Sequence, residues 1–139
     1  DHEYLYLRFD GEDGNPAGQV KPSVPPGSAF PNGDRFEVIL RNAKNKDVYL
    51  AVGPGGHSFS NPSLGDRWKT VVTAEGEVWT ATMAIPLDLL GETAEERAAV
   101  KVRLERVYRG GGDEGEESSI NGSGIFNDHS SLWLNFQIK

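Results

Sequence analysis

The clearest pattern in the chain is a run of alternating apolar residues that ends at a proline. Its apolar members are Trp79, Ala81, Met83 and Ile85. A two-residue period of this kind is typical of a strand with one buried face. Pro86 removes a backbone donor and ends the pairing, and the leucines before Gly91 are typical of a turn that folds back over a sheet. The stretch 78–90 therefore predicts a central strand closed by an apolar turn.

Other short runs with the same period predict further strands. They cover residues 3–10, 35–41, 47–52, 57–60, 67–73, 99–108 and 130–139. Glycine and proline, with 17 and 8 residues, lie mostly between the runs, which is typical of an all-β domain. Thr93–Glu96 has the spacing of a helix capping box. The sequence therefore predicts an all-β fold, an antiparallel β-sandwich of jelly-roll-like or immunoglobulin-like form with one short helical turn, as a single domain over residues 1–139.

The charge and composition of the chain remove several classes of function. Lysine and arginine number 14 against 21 acidic residues, a formal charge of −7, so a nucleic-acid backbone would be repelled. No apolar run reaches the roughly 20 residues that a membrane helix needs. Cysteine is absent, which excludes disulfides, thiolate metal sites and a thiol nucleophile. A local basic patch stays open, because Lys101, Arg103, Arg106 and Arg109 lie close together in the sequence. From the overall charge we expect no nucleic-acid partner, and we expect no membrane insertion.

An acidic, glycine-rich stretch follows the first predicted strand. Its oxygen-bearing side chains are Asp10, Glu12, Asp13 and Asn15. Calcium takes six to eight oxygen ligands from flexible loops of this composition. The same composition is common in ordinary turns, because Asp and Asn side chains bond their own backbone. The sequence leaves both interpretations open, a calcium site or a plain turn, and it predicts loops over 17–34 and 109–117.

The predicted last strand places Trp133, Asn135 and Gln137 on the face opposite its apolar residues. Sugar rings stack on flat aromatic side chains while amide, guanidinium and carboxylate groups bind their hydroxyls, so this trio is a candidate ligand-binding site. Further candidates are Trp68, Arg106, Tyr108, His57 and Phe59. Each of these also has a structural interpretation, which for Trp68 and Tyr108 is packing in the core. Arg106 falls on the apolar face of its strand, where an arginine must be paired. It is therefore either a structural strut or a ligand clamp.

The first predicted strand also has two different faces. Leu5, Leu7 and Phe9 alternate with polar or aromatic residues that face water or a ligand. Those residues are Tyr4, Tyr6 and Arg8. The alternation itself does not distinguish a solvated face from a binding face.

Several of these segments resemble the family 9 carbohydrate-binding modules and the wider DOMON-like group of sugar- and haem-binding sandwiches. The segments are 4–8, 34–40, 48–54, 79–86, 102–106 and 118–136, of which 79–86 matches best. Thr82 stands where the family's strand has an acidic residue, and Ile120 stands where its closing segment has a tryptophan. In the sugar-binding members that tryptophan helps to clamp the sugar, so this departure concerns the ligand more than the fold.

The resemblance implies a non-catalytic, lectin-like carbohydrate-binding module. Such a module would bind a polysaccharide or oligosaccharide and would be one domain of a larger, secreted bacterial polysaccharide-processing protein. The expected location is then extracellular or periplasmic. The alternative is a structural, assembly or adhesion sandwich without a sugar ligand, because this architecture is reused widely for such roles.

Two further functions are not expected. Haem binding would need Met83 as a thioether ligand, and the strand pattern directs Met83 into the core. Catalysis lacks a nucleophile elbow, a His-Glu-x-x-His motif and a cysteine nucleophile. The 21 acidic residues offer carboxylate pairs that sequence alone does not place in space. The prediction is a protein that is not an enzyme and has calcium as its one candidate cofactor.

Overall fold

The structure, a computed structural model, describes residues 3–12, 35–76, 78–108, 116–119 and 134–135. Within these ranges the side chains of Glu12, Tyr108, 116–119 and 134–135 lie outside the description. All statements below concern the described residues.

The described chain forms nine strands and one short helix. The strands are β1 (Tyr4–Glu12), β2 (Arg35–Arg41), β3 (Asp47–Val52), β4 (Ser58–Asn61), β5 (Lys69–Glu75), β6 (Val78–Pro86), β7 (Lys101–Tyr108), β8 (Glu116–Ser119) and β9 (Leu134–Asn135), and the helix is α1 (Ala94–Ala98). They build a three-stranded sheet in the order β1-β6-β5 and a six-stranded sheet in the order β4-β3-β2-β7-β8, with β9 also paired to β7. Every described strand pair is antiparallel.

The strand predicted to be central, β6, lies in the middle of the three-stranded sheet. Its alternate residues are fully buried, in the order Trp79, Ala81, Met83 and Ile85. Met83 lies opposite Leu7 of β1 and Thr70 of β5, so the apolar rows of the three strands share one face. After Pro86 the chain turns through Leu87–Leu89, and the Leu87 N–H donates to the carbonyl of Glu3 at 2.9 Å. This confirms the prediction of a strand closed by an apolar turn.

The six-stranded sheet is organised around β2, whose neighbours are β3 and β7. Val38 lies between Leu50 and Leu104, and all three contribute to the apolar side of the sheet. The β2–β3 hairpin turns at Asn42, whose side-chain oxygen accepts the N–H groups of Lys44 and Lys46 at 3.0 Å each. An asparagine that bonds the backbone ahead of it is a local turn signal, so this hairpin follows from the sequence.

The hydrophobic core lies between the two sheets. Phe36 of the six-stranded sheet has its ring centroid 4.7 Å from that of Phe9 and 4.4 Å from that of Trp79, both in the three-stranded sheet. Facing sheets that bury their apolar rows against each other form a sandwich. The predicted fold class, an antiparallel β-sandwich with one short helical turn, is therefore confirmed.

The capping box predicted at Thr93 is present at the start of α1. The Thr93 hydroxyl oxygen accepts the N–H of Glu96 at 3.2 Å, and a Glu96 carboxylate oxygen accepts the N–H of Glu92 at 2.8 Å. The pKa of Glu96 is lowered, first by the hydrogen bond from Glu92. None of the described helices has the length and apolar character needed to cross a membrane.

Three predicted boundaries are wrong, each because pairing or packing overrides a local signal. The predicted strand 67–73 starts only at Lys69, since Gly65–Arg67 forms a 3₁₀ turn. The predicted turn at 10–15 begins too early, because β1 continues to pair with β6 as far as Glu12. Part of the predicted loop 109–117 is in β8, where Glu116 and Glu117 pair with β7.

Candidate functional site

The outer face of the six-stranded sheet carries charged residues that are almost completely buried. Strand alternation places the odd-numbered residues of β2 and β7 on the side away from the hydrophobic core. On that side Glu37, Arg103 and Glu105 are 2%, 4% and 3% exposed. We call the set formed by these three residues with Arg35 and Tyr49 the charged cluster. Buried charges are costly unless they are paired, so such a cluster requires an explanation.

The register brings two carboxylates side by side in the charged cluster. Glu37 of β2 lies directly opposite Glu105 of β7. Like charges at opposed positions of a sheet repel each other. Each carboxylate has an arginine from its own strand: Arg35 Nε lies 2.5 Å from Glu37 Oε1, and Arg103 Nη2 lies 3.6 Å from Glu105 Oε2. These four residues therefore balance to zero formal charge.

Two aromatic residues border the charged cluster on its β3–β4 side. The ring centroids of Tyr49 and Phe59 are 6.1 Å apart, with an interplanar angle of 62°. Both side chains are half-buried, so part of each ring remains accessible. The pKa of Tyr49 is raised, first by burial and then by the negative charge of the nearby Glu37. The phenol is therefore held in its neutral form beside a carboxylate.

One oxygen of Glu37 has no hydrogen-bond partner within the described part of the chain. Oε1 accepts from Arg35 Nε, whereas Oε2 is buried and without a donor. Buried polar atoms in native proteins are normally bonded to protein or to another bound group. Because this oxygen is buried, the parts of the face that can meet a ligand are the half-buried rings of Tyr49 and Phe59, which can pack against apolar C–H surfaces.

Three of the residues predicted from the sequence to bind a ligand lie on or next to β7. Arg106 and Tyr108 are in β7, and the backbone of Asn135 pairs with that of Lys101 at the other end of the strand. The alternation predicted for the last strand cannot be followed at Trp133 and Gln137, which lie outside the described residues. Their role in ligand binding stays a prediction, as do those of Asn135 and Tyr108.

Arg106 faces the inside of the sandwich, as its position in the alternation predicted. It is paired with Phe36 across β2 and β7, on the side opposite to Glu37 and Glu105. A methyl group at Gly11 would lie 2.9 Å from Phe36 Cζ and 3.5 Å from Arg106 Cζ, so a glycine lets β1 approach these groups. The position favours the interpretation of Arg106 as a structural strut at the end of the core.

Trp68 requires a correction. It was a candidate for stacking on a sugar, but its side chain is 1% exposed and belongs to the core cluster. The residue ends the 3₁₀ turn before β5, and the turn directs the indole between the sheets. A ring that is covered on both faces offers no surface to a sugar, so Trp68 is a packing residue in this structure.

Of the four predicted calcium ligands, the structure describes the side chain of Asp10. Asp10 lies within β1 and not in a turn; Arg8 Nη2 and Thr80 Oγ1 donate to its Oδ1 at 3.0 and 2.6 Å. The side chain of Glu12, together with Asp13 and Asn15, is outside the described residues. In the ranges that are described, no group of three or more His, Asp or Glu residues could hold a metal ion. The calcium site stays a prediction.

Sequence reasoning singled out Phe59 but missed Arg35, Glu37, Tyr49, Arg103 and Glu105. A signal for them was present in the chain. The pattern Arg-x-Glu occurs at 35–37 and again at 103–105, in two stretches that were both predicted to be strands. Had the two strands been paired in the observed register, the glutamates would have been expected to lie together.

The fold and this face define the class of the molecule: an antiparallel β-sandwich with a buried charged cluster on the outer side of its larger sheet. Comparison with known proteins does not extend this assignment. No protein-family model, no curated protein and no solved structure matches the chain.

Proposed function

We propose that the chain is a non-catalytic carbohydrate-binding module and that the charged cluster, bordered by Tyr49 and Phe59, forms its sugar site. The observation that carries the proposal is the pair of half-buried rings of Tyr49 and Phe59 on the side of the sheet away from the core, with ring centroids 6.1 Å apart. Glu37 is 2% exposed, so it supports this surface from below by holding Arg35 and Tyr49 in place.

The surroundings of Glu37 support a sugar over a charged ligand. Arg35, Glu37, Arg103 and Glu105 carry two charges of each sign, so neither an anion nor a cation is favoured by net charge. Hydroxyl groups can both donate to carboxylates and accept from guanidinium groups. The half-buried rings of Tyr49 and Phe59 supply apolar surface for the C–H face of a sugar.

The proposal is tested with a glycan array, followed by calorimetry on each oligosaccharide that binds. We expect Glu37→Gln to weaken binding at least about tenfold, because it removes the charge that holds Arg35 and Tyr49 in position. Phe59→Leu tests the ring without changing any charge and should also weaken binding. Glu95→Gln, an exposed position in α1 and outside both sheets, is the matched control and should bind like the wild type.

The result that would contradict the proposal is a blank array with a folded wild-type protein. Wild-type affinity in both Glu37→Gln and Phe59→Leu would also contradict it, since the sugar would then bind elsewhere. A blank array would favour the structural or assembly function, in which the two ion pairs serve only to balance the charges buried on β2 and on β7.

A further inference from the structure

The outer face of the three-stranded sheet gathers the exposed large apolar side chains of the described structure. Tyr6, Val71 and Val78 are 53%, 63% and 37% exposed. The register places all three on the side of the sheet away from the core, where Tyr6 lies beside Ala84 and Val71 lies beside Thr82. Single exposed apolar residues are ordinary, but these three share one side of one sheet, which makes that side a candidate interaction surface.

Some polar groups of this face are fixed in place by hydrogen bonds, and its charges are of both signs. Arg8 donates from Nη2 and Nε to Asp10 at 3.0 and 3.2 Å, and Thr80 donates to the same carboxylate at 2.6 Å. Lys69 and Glu75 add one charge of each sign to the face, and the register also places Glu12 of β1 on this side, opposite Val78. Two positive and three negative groups leave a net charge of −1, against −7 for the whole chain, so the face favours a partner with little or no charge.

The dimensions of the face favour one extended polymer chain over a second protein. Residues 78–84 of β6 are paired on both sides. At about 3.3 Å per residue and about 4.8 Å between strands, they define a strip about 20 Å long and about 15 Å wide. Its area of about 300 Å² is less than half of the roughly 800 Å² that each partner contributes to a stable protein interface.

We propose that this strip, which we call the tyrosine face, is a second carbohydrate-binding surface that takes one extended, uncharged polysaccharide chain. The proposal rests on the proposed function but uses the opposite sheet. Tyr4 and Tyr6 follow each other along β1 with ring centroids 6.2 Å apart, so they offer apolar surface to successive sugar units. The hydroxyls of Thr80 and Thr82 and the Arg8–Asp10 pair then bind sugar hydroxyls.

The tyrosine face continues at one end into a cleft. Tyr4 lines a cleft of about 580 Å³ together with Arg67, Asp88 and Arg97. Arg97 donates to the carbonyl oxygens of Gly91 and Glu92 at 3.0 and 2.9 Å, which holds one wall of the cleft in place. A polymer chain that lies along β1 therefore meets a concave end at Tyr4.

The test measures depletion of the protein from solution by microcrystalline cellulose, insoluble xylan and chitin. We expect the wild type to bind at least one of these solids and Tyr6→Ala to bind it about tenfold more weakly. Tyr6→Phe should keep most of the affinity, because it retains the ring. Lys46→Ala, an exposed position in the β2–β3 turn, is the control and should bind like the wild type. The melting temperature of Tyr6→Ala should stay close to that of the wild type, since Tyr6 is 53% exposed.

The outcomes separate this inference from the proposed function. If Tyr6→Ala binds the solids as the wild type does, or if the wild type binds none of them, the proposal that the tyrosine face binds a polysaccharide is overturned. The sugar site at the charged cluster is tested separately, by the binding of soluble oligosaccharides and by its loss in Glu37→Gln. If Tyr6→Ala instead converts a dimer to a monomer in sedimentation, the occupant is a second copy of the chain and the inference is also overturned.

Discussion

Glu37, on the outer face of the six-stranded sheet, is 2% exposed, whereas Arg8 and Asp10, on the outer face of the three-stranded sheet, keep 69% and 53% of their side chains exposed. Both sites have an arginine and a carboxylate two residues apart on one strand. The same local pattern therefore occurs in two different dielectric environments. An exposed pair is screened by water and contributes little to stability, whereas a buried pair is costly to form and more costly to break.

Because of this difference in exposure, ligand binding and stability are related differently on the two faces. On the tyrosine face the polar groups stay solvated, so they are available to a ligand at little cost to the fold. In the charged cluster each ionic group depends on its partner, so binding and stability are coupled there. Substitutions on the two faces should therefore differ most in their effect on the free energy of unfolding.

The largest expected effect is that of Glu37→Ala in the charged cluster. Removal of this carboxylate breaks the pair between Arg35 Nε and Glu37 Oε1 at 2.5 Å, whose side chains are 12% and 2% exposed. We expect a loss of about 3 kcal/mol in the free energy of unfolding, because breaking a buried ion pair is costly. Urea denaturation followed by tryptophan fluorescence measures it.

Glu75→Ala is the control for this prediction, since Glu75 is an exposed acidic residue on the other sheet. It should change the free energy of unfolding by less than about 0.5 kcal/mol. Equal losses in the two variants would show that the two faces do not differ as described.

The alternation along the chain was sufficient to predict the fold but not the charged cluster. Trp79 and Met83 could be placed in the core because a period of two fixes which residues share a face. The same period says nothing about whether the opposite face is solvated, so Glu37 reads in sequence like any surface glutamate. Glu105 lies opposite Glu37 because of the register between β2 and β7. That register depends on tertiary packing and not on local sequence.

Trp68 and Asp10 show the opposite error, in which a local signal was given too much weight. Trp68 was a candidate for stacking on a sugar, but its side chain is buried in the core just before β5 begins. Asp10 was assigned to a turn because of the glycines around it, but pairing with Thr80 keeps it in β1. In both cases contacts between distant segments outweigh residue preference.

A smaller effect is expected from Tyr49→Phe at high pH. The pKa of Tyr49 is raised in the folded protein above its ordinary value of 10.0, so the folded state retains a proton that the unfolded state loses. Its contribution to stability is therefore complete below pH 10 and is lost as the pH rises further. Urea denaturation at pH 8 and at pH 11 should show a shallower loss in Tyr49→Phe than in the wild type. Tyr6→Phe is the control, because it also removes one tyrosine hydroxyl. Equal losses of stability between pH 8 and pH 11 in all three proteins would contradict the burial of Tyr49 beside Glu37.

The smallest effect concerns Asp10 on the tyrosine face, where the expected change is in a pKa. The pKa of Asp10 is lowered, first by the hydrogen bond from Thr80 and then by that from Arg8. Thr80→Val removes the first donor, so the pKa of Asp10 should rise toward its ordinary value. Carboxyl-carbon NMR titration measures this pKa.

A lowered pKa of Asp10 stabilises the fold at pH values above the ordinary pKa, and this stabilisation disappears as the pH falls. Thr80→Val should therefore lose less stability on acidification than the wild type. Thr73→Val, beside Thr80 in β5, should leave the Asp10 titration unchanged. An unchanged titration in Thr80→Val would instead show that Asp10 is not held in the strip, and that the polar part of the tyrosine face is not fixed in advance for a ligand.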